Sequence, residues 1–418
     1  MARVLETPGT YEYMRITAAE ETRLPQPRAV VSMGSAMPPM KELLRLARRR
    51  QPEILRLLER LVRTESPSNV KAAVDRCGRL LAAEWRRRGA RVEFLRQKHR
   101  GDHLFVDTRL GPSKLQGQIL LLGHMDTVYD LGTLKRMPWR VAGGHACGPG
   151  VFDMKAGLTI ALFAAQLLRE LGVTPRKRIV CLWTTDEEIG SESSRKFIER
   201  EAKRSDAVLV LEPATGLEGK VKTARKGVGE AEIIITGRAA HAGLNPEAGI
   251  NAVHELALQI ERIMRLNNPE RGTTLSVNVI EGGGRTNVIA DRARALVDLR
   301  TTTMTEARKL EKRLHGLKPI LTGAKIEIRG GINRPPMERK AAAALFRHAQ
   351  LLSDEMEIEL GESFVGGGSD GNFTAALGVP TLDGLGGAGE GAHAQHEYVL
   401  LRALPARVAL IAGLMASL

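Results

Sequence analysis

Hydrophobic and polar positions follow two rhythms along the chain. Short apolar runs rich in Val, Ile or Leu predict buried strands at Gln118–Gly123, Arg178–Thr184 and Ala207–Leu211. Longer stretches with apolar residues three or four positions apart predict helices at about Lys155–Leu171 and Ser191–Lys203. Because strands and helices alternate here, the pattern predicts an α/β fold with a largely parallel sheet.

The N-terminal part has a different pattern. Residues 1–40 contain acidic residues and prolines without a continuous apolar stretch, which predicts a loose extension and no signal peptide. Lys41–Arg63 and Val70–Arg88 then follow a helical period, the first as one amphipathic helix with a basic face.

The pattern changes again near Gly227, where the predicted order becomes β-α-β-β-α-β. The elements are Glu230–Thr236, Gly249–Arg265, Thr273–Glu281, Ala293–Thr301, Thr305–Leu314 and Lys325–Arg329. This order is typical of a ferredoxin-like α+β module. We therefore predict a larger domain in two parts, residues 41–225 and 334–418, with a small domain inserted at 226–333.

Composition narrows the class of protein. Hydrophobic residues make up 43% and charged residues 26% of the 418 residues, which argues against wholesale disorder. No run of 18 apolar residues occurs, so we expect no membrane partner. The net charge is +14, which leaves a nucleic-acid-binding protein on a hydrolase-like fold as an alternative. With 8 Phe, 4 Tyr and 3 Trp, a base-stacking surface is disfavoured, and we expect no nucleic-acid partner.

The cysteines indicate the compartment. Cys77, Cys147 and Cys181 are odd in number and far apart, and they form no C-x-x-C pair. This pattern favours a reducing environment, so we expect a cytoplasmic location.

Several carboxylate and imidazole residues follow predicted strands, open a predicted helix or, for His393, lie in a late loop. They are His124, Asp153, Glu187, Glu188, Glu212 and His393. The carboxyl ends of parallel strands are where ligands bind in open α/β sheets, and these side chains are zinc ligands. Two imidazoles and three carboxylates suit two divalent ions that share one carboxylate.

Neighbouring residues fit supporting roles in such a site. Asp126, two residues after His124, is placed to orient the imidazole. One glutamate of the Glu187–Glu188 pair can bind metal while the other stays free as a general base.

Each residue alone also has a structural explanation. A histidine at a strand end is commonly a hydrogen-bonded core residue, an acidic pair is commonly a solvated helix start, and Asp153 suits a helix N-cap. The combination of these residues at strand ends, in this order, favours the catalytic interpretation.

Three motifs identify the family that the chain resembles. They are GHMDTV at Gly123–Val128, GVFDMKAG at Gly150–Gly157 and TDEEIGS at Thr185–Ser191, with further matches at Glu212–Pro213, Gly237–Gly243 and Gly366–Gly371. These segments resemble the dinuclear zinc peptidases, which include bacterial glutamate carboxypeptidase, succinyl-diaminopimelate desuccinylase, acetylornithine deacetylase and aminoacylase. The resemblance runs from about Lys41 to the C-terminus and is nearest to the glutamate carboxypeptidase branch.

The resemblance implies two zinc ions per subunit, for which cobalt or manganese can substitute. Asp153 would bridge the ions. His124 and Glu212 would complete one site, and Glu188 and His393 would complete the other. The peptide bond after the bridging aspartate is often cis in this family, so Asp153–Met154 is expected to be cis.

The remaining roles also come from the resemblance. Glu187 would be the general base that activates a water held between the metals, with Asp126 orienting His124. The two-part domain would be catalytic, and the inserted domain at 226–333 would be a lid or dimerisation domain that forms a homodimer. The lid residues His241, Asn287 and Arg300 would contact the substrate and the oxyanion. Arg334 resembles a carboxylate-binding position.

The late loop departs from the family pattern. The family usually has a carboxylate three residues after the last ligand, where this chain has His396. We assign the ligand to His393, because Glu397 four residues later keeps the family spacing.

These features together predict a zinc-dependent carboxypeptidase that hydrolyses a peptide or amide bond next to a C-terminal amino acid, with glutamate suggested by the resemblance. The alternative is an N-acyl-amino-acid deacylase of the aminoacylase or desuccinylase type. The expected substrate is a small peptide or an N-acyl amino acid. An inactive binding member of the family is disfavoured, because every implied ligand is present.

Overall fold

The structure, a computed structural model, describes residues 37–111 and 115–418, so most of the predicted extension at 1–40 lies outside the described residues. The helices are α1 (Met40–Arg49), α2 (Gln51–Arg63), α3 (Lys71–Arg87), α4 (Ala156–Glu170), α5 (Arg195–Ala202), α6 (Ala252–Met264), α7 (Met304–His315), α8 (Ala343–Asp354), α9 (Gly371–Ala376) and α10 (Ala403–Ser417). The strands are β1 (Arg91–Leu95), β2 (His103–Asp107), β3 (Gln118–His124), β4 (Arg140–Ala142), β5 (His145–Cys147), β6 (Arg178–Thr184), β7 (Ala207–Val210), β8 (Val221–Arg225), β9 (Gly227–Thr236), β10 (Thr274–Gly282), β11 (Arg292–Thr301), β12 (Lys325–Arg334), β13 (Glu362–Val365), β14 (Thr381–Leu382), β15 (Gly389–Glu390) and β16 (Tyr398–Leu400).

The main sheet of the described chain has six strands in the order β1-β2-β6-β3-β7-β14. Strands β6, β3, β7 and β14 pair in parallel, whereas β2 pairs antiparallel with both of its neighbours. The predicted α/β fold with a largely parallel sheet is therefore confirmed. The three predicted strands of this sheet, β3, β6 and β7, are neighbours in it.

The side chains of β3 show why its sequence is apolar without interruption. Ile119 and Leu121 join a core that includes residues of α1 to α4, α8 and α10, whereas Leu120 and Leu122 join a second core with α5 and α9. Helices therefore cover both faces of the sheet, and a strand buried on both faces has no polar positions to alternate with.

The prediction of one helix at Lys41–Arg63 is wrong in one respect. The chain forms α1 up to Arg49, turns at Arg50, and begins α2 at Gln51 with Pro52 in its first turn. Proline lacks an amide hydrogen and clashes with the carbonyl four residues earlier, so it interrupts a helix interior but fits a first turn.

A second sheet of the described chain is built from β9 to β12, in the order β10-β11-β9-β12, with every pair antiparallel. Helices α6 and α7 connect its strands and supply Leu256, Leu310 and Leu314 to a separate hydrophobic core. This order is that of a ferredoxin-like β-α-β-β-α-β unit. We call Gly227–Arg334 the module.

Two features outside these sheets position the site. Strand β16 pairs with β5, so the loop before β16 comes next to the loop after β5. That second loop leads into α4 through a π-helical turn at Val151–Lys155. The segment Val151–Glu170 is apolar and long enough to cross a membrane, but 89% of the window is buried inside the protein, which is the position of a core helix.

Candidate dinuclear metal site

Three of the candidate ligands come from neighbouring strands of the main sheet. His124 is the last residue of β3, Glu188 lies in a 3-10 turn just after β6, and Glu212 follows β7 by two residues. Because these parallel strands are adjacent, their carboxyl ends bring the three side chains to one edge of the sheet.

Asp153 and His393 reach the same edge from loops. Asp153 lies in the π-helical turn before α4, and the Asp153–Met154 peptide bond is cis, as the resemblance implies. His393 has φ of 63°, a left-handed conformation that is uncommon for a residue with a side chain and is worth attention at a functional site.

Among the described residues, these side chains form two groups that are able to hold a metal ion, and Asp153 belongs to both. The His124 Nε2 atom lies 3.2 Å from Asp153 Oδ1 and 3.4 Å from Glu212 Oε1. The His393 Nε2 atom lies 3.4 Å from Asp153 Oδ2 and 3.1 Å from Glu188 Oε2. Each carboxylate oxygen of Asp153 thus faces a different group, which is the arrangement of a bridging ligand.

The electrostatics of the site favour cations. Hydrogen bonds to Asp153 and then to Glu188 raise the pKa of His393 to about 10. His124 is buried, which disfavours its charged form, yet hydrogen bonds to Asp126, Asp153 and Glu212 raise its pKa well above the usual value. Such shifts indicate a strongly negative local potential.

The donor set fits divalent metal ions. Each group offers imidazole nitrogen and carboxylate oxygen, and the ligand atoms within each group lie within 4.8 Å of one another. Within the described residues, the buried Glu188 Oε1 atom has no hydrogen-bond partner. Buried carboxylate oxygens are normally hydrogen-bonded or coordinated, so this atom also fits a metal site.

Asp126 contacts His124 differently from the prediction. The Nδ1 atom of His124 lies 3.0 Å from the backbone carbonyl oxygen of Asp126 and 3.5 Å from its carboxylate. The carboxylate instead accepts a 2.7 Å hydrogen bond from the Ser68 hydroxyl. The imidazole is therefore oriented mainly by a backbone oxygen, which serves the same purpose as a carboxylate.

Glu187 is buried beside the two groups, and burial raises its pKa well above the usual value, although the charge of Arg334 opposes this. An Nη atom of Arg334 lies 3.0 Å from Glu187 Oε1 and donates to the Glu187 carbonyl at 2.8 Å and to the Ser191 hydroxyl at 2.7 Å. Ser191 in turn donates to Asp370. Arg334 thus contacts the candidate base directly, a contact that the sequence did not suggest.

Glu397 braces the Asp153 loop, and sequence reasoning used it only as a spacing marker. Its carboxylate accepts hydrogen bonds, each 2.8 Å long, from the backbone amides of Gly150, Phe152 and Asp153. Burial raises the pKa of Glu397 to about 7, although these hydrogen bonds oppose the shift. The Tyr129 hydroxyl donates to the carbonyl of Ala394 and thereby contacts the loop that carries His393.

The other predicted site residues lie apart from the two groups. His396 is exposed and belongs to neither group, which is consistent with the choice of His393. His241 and Asn287 are exposed on the module. Arg300 forms an ion pair with Asp298 at 2.8 Å.

The two groups open into a cleft of about 410 Å³. It is lined by Asp153, Glu187, Glu188, Glu212 and His393, together with Lys222, Arg225 and the loops at 213–216 and 389–392. A larger cavity of about 760 Å³ lies on the module beside the turn between β10 and β11 and contains none of the candidate ligands.

Comparison with known proteins agrees with this architecture. Residues 120–417 match the peptidase family M20/M25/M40. The chain is 33% identical to carboxypeptidase G2 of Pseudomonas sp. (strain RS-16) over 386 residues, which is 90% of this chain and 92% of that protein. It is 30% identical to acetylornithine deacetylase of Klebsiella pneumoniae (strain 342) over 270 residues, 60% of this chain and 68% of that protein.

Solved structures show the same fold. The aminopeptidase PepT of Bacillus cereus ATCC 10987 superposes with a TM-score of 0.73 at 22% identity, covering 88% of this chain and 98% of that one.

Proposed function

The chain belongs to the peptidase family M20/M25/M40 and is a metallohydrolase, and from this premise we propose that it is a zinc-dependent carboxypeptidase. It would hydrolyse the peptide or amide bond next to a C-terminal amino acid, with glutamate the favoured leaving residue. The observation that carries the proposal is the pair of ligand groups that share Asp153, with Glu187 buried in the same cleft. The extensive similarity to carboxypeptidase G2 supports it.

The residues of the cleft divide the work between binding and proton transfer. Metal ions held by the two groups would supply Lewis acidity toward the scissile carbonyl and water that ionises near neutral pH. Glu187 would accept the proton of the attacking water and return it to the departing nitrogen. Its burial and raised pKa support a group that can hold that proton, and its contact with Arg334 fixes its position.

We assign two zinc ions per subunit to the two groups, with His124, Asp153 and Glu212 around one and Asp153, Glu188 and His393 around the other. Imidazole and carboxylate ligands support zinc, and cobalt or manganese would bind the same donors.

A homodimer through the module is part of the proposal. Strand β10 lies at the edge of its sheet and exposes Val279 and Ile280, and Leu244 is 81% exposed. An unpaired edge with exposed apolar side chains is suited to self-association. The exposed His241 lies three residues before Leu244 and would enter the partner's cleft, where Asn287 and Arg300 would add substrate contacts.

A second candidate function is deacylation of N-acyl amino acids, which the similarity to acetylornithine deacetylase favours. The two functions share the cleft chemistry and differ in the group on the carbonyl side. The cytoplasmic location stays a prediction.

The test is amino-acid release from a panel of dipeptides, N-acyl amino acids and their C-terminal amides by the zinc- or cobalt-loaded protein. The carboxypeptidase proposal expects release from the free acids and little from the amides. Equal hydrolysis of acid and amide would contradict it. Release from N-acyl amino acids alone would establish the deacylase.

A further inference from the structure

The cleft contains positively charged side chains besides its candidate metal ligands, and they differ in how fully they are paired. The guanidinium group of Arg225 is paired with protein groups. Its Nε and Nη atoms bond to the carboxylate of Asp383 at 2.7 and 3.0 Å, and its other Nη atom donates to the carbonyls of Gly367 and Gly368. Arg225 is therefore a structural cation.

Arg334, at the neighbouring side of the site, is partly paired. One of its Nη atoms lies 2.7 to 3.0 Å from the carboxylate and carbonyl oxygens of Glu187 and the hydroxyl of Ser191. A substrate carboxylate at this Nη atom would displace these contacts and shift the candidate base. The buried Nε atom has no hydrogen-bond partner among the described residues, but Arg334 is not among the residues that line the cleft. Arg334 is thus a positioning residue for Glu187 in this structure.

Lys222 is different. Its backbone pairs with Asp383, and its side-chain stem passes beside Gly384, where a Cβ atom would lie 3.0 Å from Lys222 Cγ. The side chain lines the cleft and is half-buried. Within residues 37–111 and 115–418, its ammonium group makes no hydrogen bond or ion pair.

An unpaired ammonium in such a place is costly. Burial, and then the charge of Arg225, lower the pKa of Lys222, and the charges of Asp383, Glu212 and Asp153 oppose this shift only in part. A polar or charged group that is withdrawn from water without a partner costs free energy, and an anionic ligand removes that cost.

We propose that Lys222 binds a carboxylate of the substrate in the cleft and thereby sets a preference for anionic substrates. The proposal rests on the proposed function, because it names one recognition contact of the same site. Lysine is a compact point charge on a flexible stem, so it selects charge more than the planar geometry that arginine reads.

The experiment compares wild type, Lys222→Gln and Lys222→Arg, with Lys220→Gln as the matched control. Lys220 precedes β8, carries the same charge and is exposed outside the cleft lining. The substrates are pairs that differ only in one carboxylate: N-succinyl-leucine against N-butanoyl-leucine, N-acetyl-glutamate against N-acetyl-glutamine, and N-acetyl-leucine against N-acetyl-leucinamide. The readout is the ratio of kcat/KM for the acid to that for its neutral partner.

In at least one pair, Lys222→Gln should lower this ratio about tenfold or more, mainly through KM, because a hydrogen bond to a charged group is lost. Lys222→Arg should recover part of it, and Lys220→Gln should leave it unchanged. Unchanged ratios in every pair for Lys222→Gln would overturn the proposal, as would an equal fall in Lys220→Gln.

A binding measurement separates this proposal from the proposed function. If the metal-loaded wild type hydrolyses none of the substrates, the hydrolase specificity is wrong, and calorimetric binding of glutarate to the same proteins tests Lys222 alone. Weaker glutarate binding by Lys222→Gln than by Lys220→Gln supports the contact. Equal binding refutes it.

Discussion

The main-sheet site and the module place their candidate functional side chains in contrasting environments. At the main sheet, His124 and Glu187 are buried and each contacts at least one protein group within 3.0 Å. On the module, His241 and Asn287 are exposed. The His241 ring accepts hydrogen bonds from amides two and three residues along its own loop.

The contrast indicates how the work is divided. Candidate ligands and a candidate base held by buried contacts are preorganised within one chain, which metal binding and proton transfer require. Exposed side chains on a separate core gain a functional environment only when another surface or a substrate covers them. The following predictions test each side of this comparison.

The largest effect is expected at the paired glutamates. Glu187→Gln should keep the metal and lower kcat about 10²–10⁴-fold, because only the proton acceptor is removed. Glu188→Gln should lower metal content as well. Elemental analysis with steady-state kinetics on both variants checks this, and loss of metal from Glu187→Gln but not from Glu188→Gln would mean that the roles are exchanged.

The module side is tested by complementation. If His241 enters the partner's cleft, mixing inactive His241→Ala with inactive Glu187→Gln should restore about a quarter of wild-type activity after random subunit exchange in a twofold dimer. Exchange is verified with differently tagged chains. No recovery despite exchange would place His241 in its own subunit's site or outside catalysis.

A smaller effect is expected at Glu397. Glutamine offers one acceptor oxygen in place of two, so Glu397→Gln should weaken the bonds to the Asp153 loop and lower metal affinity about 10–100-fold. Competition with a chelator measures this. The control Glu359→Gln alters an exposed glutamate and should bind metal as wild type does. Unchanged affinity in Glu397→Gln would show that the loop holds its shape without the brace.

The smallest effect concerns stability of the module. The carboxylate of Glu255 accepts the amides of Ile320 and Leu321. Burial opposes its charged form, but these hydrogen bonds and that from Gln259 lower its pKa. Because the pKa of Glu255 is lower in the folded protein than the unfolded-state value of about 4.3, its charge stabilises the fold at pH values above about 4.3. This contribution is lost as the pH falls from about 4.3 through the lower pKa of the folded state.

Glu255→Gln should therefore destabilise the protein by about 1–3 kcal/mol at neutral pH. The difference in the free energy of unfolding between Glu255→Gln and wild type should shrink as the pH falls from about 5 to about 3. Thermal unfolding across this range measures it, with the exposed Glu261→Gln on the same helix as control. A difference that is independent of pH would argue against the charged hydrogen bonds as its cause.

Much of the architecture was predictable because it depends on local patterns. Strands buried on both faces read as apolar runs, and β6 occupies the predicted range Arg178–Thr184. Strands β1 and β2 were not predicted, since Arg91–Leu95 and His103–Asp107 are short and carry charged or polar ends. Pro52 indicates the helix break at Arg50. The prediction missed it because leucines recur at helical spacing on both sides of the break.

The site was predictable in its ligand types but not in its supporting contacts. Three candidate ligands, His124, Glu188 and Glu212, follow strands that the apolar pattern predicts. The contact of Arg334 with Glu187 joins residues 147 positions apart, and the bonds of Glu397 to the Asp153 loop span 244. Such contacts depend on tertiary packing, and no local pattern encodes them.

The central claim is that two ligand groups share Asp153 and that His393, not His396, completes the second. Metal content per chain, measured by elemental analysis after equilibrium dialysis against zinc, tests it most directly in wild type, His393→Ala and His396→Ala. We expect two ions per chain in wild type and His396→Ala, and fewer in His393→Ala. Full metal content in His393→Ala, or equal loss in both variants, would contradict it.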